Sequence, residues 1–370
     1  MKFKDEFQRA DLAQALVRAI GEIPLSSEVS LMEVCGTHTH AIGRYGIHAM
    51  LPEKIRLLSG PGCPVCVTPN EYIDHALALS ALPGVIIATF GDLFRVPGSY
   101  SSLQEEKGKG ADVRVVYSPA DALEMARSQP ENNVIFLGVG FETTAPSVAA
   151  VIRKAREKGT ENFFVLPGFK TLPNALEALA SSPRLRLSGF IAPGHLSVVT
   201  GLAPYERVLE KYGIGSVITG FEPLDILEGI RLLTLMASGG KGAVINEYSR
   251  IVRPGGNQKA MGILEEVFAP ADSIWRGLGT IPGSGLAIRE KYSPFDAGAI
   301  FSVSVPPSRQ PKGCICGEIL TGVKEPGQCP SFGTLCTPRH PVGACMVSSE
   351  GTCSAYLRYG RSRRGSTGSP

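Results

Sequence analysis

The stretch "NNVIFLGVGFETTAPSVAAVIRKAREKG", Asn132 to Gly159, carries the pattern that decides the fold. A β-branched and aromatic run, Val134 to Leu137, ends at Gly138 and Gly140, and Val148, Val151 and Ala155 then recur at helical spacing. Thr143 or Thr144 stands where a cap belongs. The same order of strand, glycine turn and helix returns in "PGVIIATFGDLFRVPGS", with Val85 to Thr89 as strand and Gly91 and Asp92 in the loop. It returns again in "NFFVLPGFKTLPNALEALA", "LSGFIAPGHLSVVTG" and "GSVITGFEPLDILEGIRLL". Strands alternating with helices predict an α/β fold with parallel sheets covered by helices.

Working outward, Phe7, Leu12, Leu16, Val17 and Ile20 space a helix within residues 1–25, expected to pack on the C-terminal region. Residues 26–130 are expected to form a first α/β lobe and 131–252 a second, divided near residue 130. Past Arg253 the texture changes to "RPGGNQ", "IPGSG" and a cysteine- and proline-rich finish, so 253–360 reads as a loop-rich region held by a metal centre. Residues 361–370, "RSRRGSTGSP", read as a disordered basic tail.

That tail accounts for the formal charge of +3, because it holds three arginines and no acid. The remaining body is neutral and leaves no electrostatic footprint for nucleic acid. With 43% apolar and 19% charged residues the chain is an ordinary globular one. No run approaches the roughly 20 apolar residues of a membrane span, and the charged N-terminus lacks a signal-peptide core. A cytoplasmic location follows as the expectation. Nine cysteines in a reducing compartment then read as ligands, redox centres or small buried residues rather than a disulfide framework.

In open α/β sheets ligands collect at the carboxyl ends of the strands. The residues placed there are Cys35, Cys63, Asp92, Glu142, His195 and Glu222. In "MEVCGTHTH", Cys35, His38 and His40 offer thiolate and imidazole to a soft or borderline metal, with a nucleophile–base pair or a capped helix start as the alternatives. In "GPGCPVC", Cys63 and Cys66 form a C-x-x-C pair after a turn expected to expose it. Redox cycling is favoured over half of a zinc site, since no second C-x-x-C stands nearby. His195, on a Pro-Gly turn, has a functional placement; Glu142 and Glu222 can move a proton or cap a helix; Glu350 can serve a neighbouring site or stay solvated. There is no G-x-x-x-x-G-K-[ST] phosphate loop.

The terminal segment holds Cys314, Cys316, Cys329, Cys336, Cys345 and Cys353. Four thiolates close a zinc site or an iron–sulfur cubane. Wide gaps and the lack of tight C-x2-C pairs favour the cluster over zinc or inert thiols.

Taken together, "CGTHTH", "GPGCPVC", "GFETTAP", "PGH", "GFEPLDIL" and the terminal cysteines closely resemble the HypD family of [NiFe]-hydrogenase maturation proteins, from about Leu31 to Tyr359. The family's cluster spacing, C-x14-C-x6-C-x16-C, falls on Cys314, Cys329, Cys336 and Cys353. The resemblance implies a [4Fe–4S] cluster on those four, with Cys316 and Cys345 outside it. It also implies a redox-active scaffold that holds a mononuclear iron through Cys35, with His38 close by, while two cyanides and one carbon monoxide are attached. The implied partners are the small chaperone HypC, the cyanide donor HypE and, through HypC, the hydrogenase large subunit. Turnover then belongs to the complex with HypC. The implied redox pair is Cys63 and Cys66, with His195 and Glu350 among the catalytic residues. Two rivals fit the same cysteines: a ferredoxin-dependent disulfide reductase, and a zinc-stapled binding module.

Overall fold

The computed structural model describes residues 5–360, so the basic tail lies outside the described residues. Eleven strands are present among them: β1 (Val29–Glu33), β2 (Ile55–Ser59), β3 (Val85–Thr89), β4 (Asp112–Val115), β5 (Asn133–Gly138), β6 (Phe163–Pro167), β7 (Gly189–Pro193), β8 (Gly215–Thr219), β9 (Val244–Asn246), β10 (Phe268–Trp275) and β11 (Gly279–Ile288). β1, β3, β7 and β8 are buried along their whole length, as strands covered on both faces must be. All pairings in the two larger sheets are parallel.

The sheets do not divide at residue 130. One has five strands in the order β2-β1-β7-β8-β9, and the other has four in the order β4-β3-β5-β6. The chain therefore starts one lobe with β1 and β2, leaves it to build the whole of the second with β3 to β6, and returns with β7. Alternation of strand and helix gives each strand's existence, but only tertiary pairing decides which ladder it joins. Here β3 takes β5 as neighbour, joining segments on either side of the expected boundary.

Two further expectations are corrected by packing. The first long helix, Ala10–Gly21, lies against the helix Pro223–Ala237 and sends Ile20 into the core of the five-stranded lobe, not onto the C-terminal region. Its apolar stripe finds Ile226, Leu227 and Ile230 there. Region 253–360 is also less uniform than expected. The helix Gln258–Val267 packs on Ala145–Glu157, and Leu264, Phe268, Leu286 and Tyr292 join the core of the four-stranded lobe. The antiparallel hairpin β10–β11 follows, with alternating burial along β10, the mark of a two-faced ribbon. Only the segment beyond it lacks long regular elements; short helical turns and one eight-residue helix, Thr352–Tyr359, are all it has.

The stretch 132–159 folds as read, into β5 and the helix Ala145–Glu157. Thr144 is its N-cap residue but makes no side-chain capping bond, and Pro146 occupies the first turn instead.

Candidate functional site

Cys35 follows β1 and forms the N-cap of the helix Gly36–Arg44. Its position is fixed by a very close approach of the GPGC loop: the Gly36 N–H donates to the Gly62 carbonyl at 3.2 Å. A methyl on Gly62 would lie 2.1 Å from the Cys35 nitrogen, so only glycine fits. A methyl on Gly36 would meet the Glu350 Cβ at 2.7 Å, its carbonyl at 2.8 Å and the Cys63 Cβ at 3.3 Å. Cys35, Cys63 and Glu350, distant in sequence, thus meet over one glycine.

The carboxylate of Glu350 accepts a hydrogen bond from the Thr37 hydroxyl at 2.7 Å. Burial pushes the half-buried Cys35 thiol up to about 12, the negative Glu350 adds to this, and the backbone N–H groups of His38 and Thr37 oppose it. Such a thiol stays protonated at neutral pH until a cation arrives, since a coordinated thiol loses its proton outright.

His38 is fully buried, and its Nε2 lies 2.9 Å from both the Gly220 carbonyl and the Thr219 hydroxyl. A carbonyl can only accept, so Nε2 carries the proton and Nδ1 presents its lone pair. That Nδ1 is buried without a hydrogen-bond partner. Burial lowers the imidazole to about 4, which keeps it in the neutral form that binds metals. Phe221 stacks between His38 and the exposed His195, with ring centroids 4.6 and 4.2 Å away. His195, Thr37 and Glu222 line a cavity of about 400 Å³ that opens beside this stack. His40 instead faces the C-terminal helix, its Nε2 lying 3.1 Å from the Tyr359 hydroxyl.

The other strand-end residues separate. Glu142 is buried, and its Oε1 accepts the backbone N–H of Leu172 at 3.0 Å. It caps a helix thirty residues on, not the one that follows it. Glu222 accepts from Gln8 at 2.5 Å and Tyr45 at 3.3 Å, tying the N-terminal segment down. Asp92 is exposed at the end of β3 and takes no part in the cavity beside His195.

Cys63 and Cys66 sit at the ends of the first turn of the helix Pro64–Val67, and both are buried rather than exposed by the preceding turn. Hydrogen bonding to Cys63, then burial, then the negative charge of Cys63, Cys345 and Cys316 all push the Cys66 thiol up. The helix that carries Cys66 packs on the turn Ala344–Met346 that carries Cys345, which with Cys316 is one of two thiols that sequence reasoning left without a role. Cys316 and Cys345 lie 2.7 Å apart, and Cys345 lies 3.4 Å from Cys353. Thiols thus run from Cys63 through Cys66, Cys345 and Cys316 to the terminal segment. Their only sequence signal was that they were surplus to the family spacing.

All six terminal cysteines line one small cavity with Ile319, Phe332 and Met346. None forms a disulfide. The Val342 N–H donates to the Cys336 sulfur at 3.3 Å, and a methyl on Gly343 would come within 2.8 Å of the Cys314 sulfur. Among the described residues no three His, Cys, Asp or Glu side chains gather as ligands of one ion. A tetrahedral zinc site brings its sulfurs to about 2.3 Å from one centre; a ring of thiols around a shared cavity suits a cluster better. Arg276 borders this ring. Its guanidinium is buried, donates to the Thr68 carbonyl at 3.1 and 2.7 Å, and favours the thiolates of Cys314 and Cys316.

The fold and site define a two-lobed α/β protein whose clefted thiols are backed by a cysteine-rich segment. Comparison with known proteins narrows this class. The family model HypD, described as "Hydrogenase formation hypA family", matches residues 11–360. The chain is 44% identical to the hydrogenase maturation factor HypD of Rhodobacter capsulatus, covering 98% of this chain and 99% of the relative. It is 44% identical to that of Cupriavidus necator, with 98% of each covered, and 43% identical to that of Azotobacter vinelandii, with 98% of each covered. The chain belongs to the HypD family of hydrogenase maturation factors. No helix among the described residues is long and apolar enough to cross a membrane.

Proposed function

We propose that this chain is the redox-active scaffold on which the Fe(CN)2CO unit of [NiFe]-hydrogenase is assembled, working with HypC and receiving cyanide from HypE in the cytoplasm. The observation that carries the reading is a thiol and a neutral imidazole within one helical turn of a strand end. Cys35 caps the helix Gly36–Arg44 and accepts the His38 backbone N–H, and the buried His38 Nδ1 keeps a lone pair without a hydrogen-bond partner. An iron ion held there keeps open positions for diatomic ligands and for a donor from a partner. Thiolate softness suits the low-spin ferrous state that cyanide and carbon monoxide impose.

The surrounding residues have definable tasks. Cys35 releases its proton as the metal substrate binds, and Glu350, whose charge the thiol feels, is placed to receive it. Burial holds His195 below its ordinary value while the negative Glu350 opposes this, and His195 lines the cavity, so it can take that proton on toward solvent. Cys63 and Cys66 exchange between dithiol and disulfide beside the iron site, and Cys316 with Cys345 links them to the terminal cysteines.

Cys314, Cys329, Cys336 and Cys353 would hold a [4Fe–4S] cluster. The cluster, when bound, supplies single electrons at low potential.

Protein purified anaerobically with HypC tests this. Iron-bound cyanide and carbon monoxide bands are expected in the infrared, and Cys35→Ser should abolish them while leaving cluster absorbance intact. His38→Ala should weaken iron retention by about 10–100-fold, the range for groups that orient a metal's ligands. Full-strength bands in Cys35→Ser would remove that cysteine as the anchor. Zinc in place of iron, with no colour, would leave only the zinc-stapled module.

A further inference from the structure

The loop between Cys329 and Cys336 carries Leu335, which is 74% exposed one residue before a candidate cluster ligand. A large apolar side chain held that far into solvent beside a redox centre has no packing role. It borders a cavity of about 540 Å³ that Arg95, Tyr100, Arg339 and His340 also line. The Arg95 guanidinium donates to the Pro338 carbonyl, so its charge is anchored to the same loop. Arg309 stacks over the half-exposed Tyr100 ring at 5.2 Å and extends the basic rim.

None of these three arginines forms an ion pair among the described residues, whereas Arg127, Arg184 and Arg207 each reach a carboxylate. The one carboxylate lining the cavity, Glu105, is committed to the Ser102 N–H of its own helix cap. With one carboxylate against Arg95 and Arg339 in the lining, and Arg309 beside it, the face is net positive.

We propose that this face, with Leu335 at its centre and Arg95, Arg309 and Arg339 around it, docks a small acidic one-electron carrier protein. The partner class follows from the chemistry. An apolar contact ringed by unpaired cations fits an anionic surface with an apolar centre. Its position over the Cys336 loop is where an electron would enter. Electron-transfer encounters use small interfaces, below about 1,200 Å², and gain their speed from charge steering. The step is balanced: the reduced carrier loses one electron and the cluster gains it, with no proton or atom transferred. The proposal rests on the cluster assigned above.

The experiment measures binding of an oxidised, acidic [2Fe–2S] ferredoxin to the anaerobically purified protein, and the rate at which the reduced ferredoxin reduces its cluster. Dithionite, a small anionic reductant with no protein surface to dock, serves as the control and is compared at the same salt concentrations. Arg309→Glu/Arg339→Glu is expected to weaken binding and slow reduction by about 10–100-fold at low ionic strength, with the dithionite rate unchanged and the difference lost at high salt. Leu335→Ser should weaken binding at every salt concentration. Unaltered ferredoxin binding in the charge-reversed variant, with the dithionite rate intact, would overturn the proposal. Should that variant lose its cluster, the unmodified protein decides: a ferredoxin reduction rate that does not fall with salt overturns it equally. A parent protein with no colour for dithionite to bleach would instead remove the cluster reading itself.

Discussion

Cys35 and Cys336 are both thiols proposed to bind iron, yet they are held by opposite means. Cys35 stands at the end of a fully buried strand, caps a helix and is wedged by Gly62, so the backbone places it before any metal arrives. Cys336 lies in a run of turns, buried but held by a Cys336–Phe332 bridge, short-range backbone bonds and the Val342 N–H on its sulfur, with no strand or long helix behind it. The difference separates two designs. A rigid lobe can present an open site to a metal that must later leave, whereas a loop-rich segment suits one that stays.

The largest expected effect breaks the loop-rich side alone. Cys336→Ala should bleach the protein and raise amide exchange through residues 313–350, while the lobes keep their protection. Cys316→Ala and Cys345→Ala should retain the colour but block thiol exchange between Cys66 and the terminal segment, read by trapping under oxidising and reducing conditions. Retained cluster absorbance in Cys336→Ala would show that the family spacing has been assigned to the wrong thiols.

A second substitution attacks the rigid side. In Gly62→Ala the new methyl would lie 2.1 Å from the Cys35 backbone, which cannot turn aside as a side chain would. A loss of at least about 1–3 kcal/mol in chemical denaturation is expected, with iron binding lost and cluster colour kept. The milder Gly36→Ala presses on Glu350 and should loosen the contact between the lobe and the terminal segment.

The same contrast explains what could be read without a structure. The strand from Val85 to Thr89 and the helix after Thr144 were legible because their periods are local. Cys35, His38, Cys63, His195 and Glu350 were legible as positions because each follows a strand end or borders a cysteine motif, and the structure brings them together. Sheet membership was not, since a β-strand's sequence does not name its neighbour. The Cys316–Cys345 contact was hidden for a similar reason: loops with no period set it. Arg276 was invisible because a buried guanidinium satisfied by a carbonyl looks, in sequence, like any surface arginine.

Glu142 gives the smallest effect and tests whether the rigid half is built for stability as well as chemistry. Its Oε1 accepts the Leu172 N–H, its Oε2 has no partner, and burial pushes the carboxyl up to about 7. The folded state therefore holds a proton that the unfolded chain, titrating near its ordinary value, gives up earlier. The resulting stability is complete below about pH 4 and is lost as pH rises through about 7, because there the folded state must either ionise a buried group or bind a proton from dilute solution. Glu142→Gln keeps an acceptor for Leu172 but cannot ionise. Its unfolding free energy should flatten between pH 5 and 8 relative to the parent, by up to about 3 kcal/mol on the linkage relation. Parallel pH profiles for the two proteins would mean that the carboxyl is already solvated, and that this cap, unlike the Cys35 wedge, is open to water.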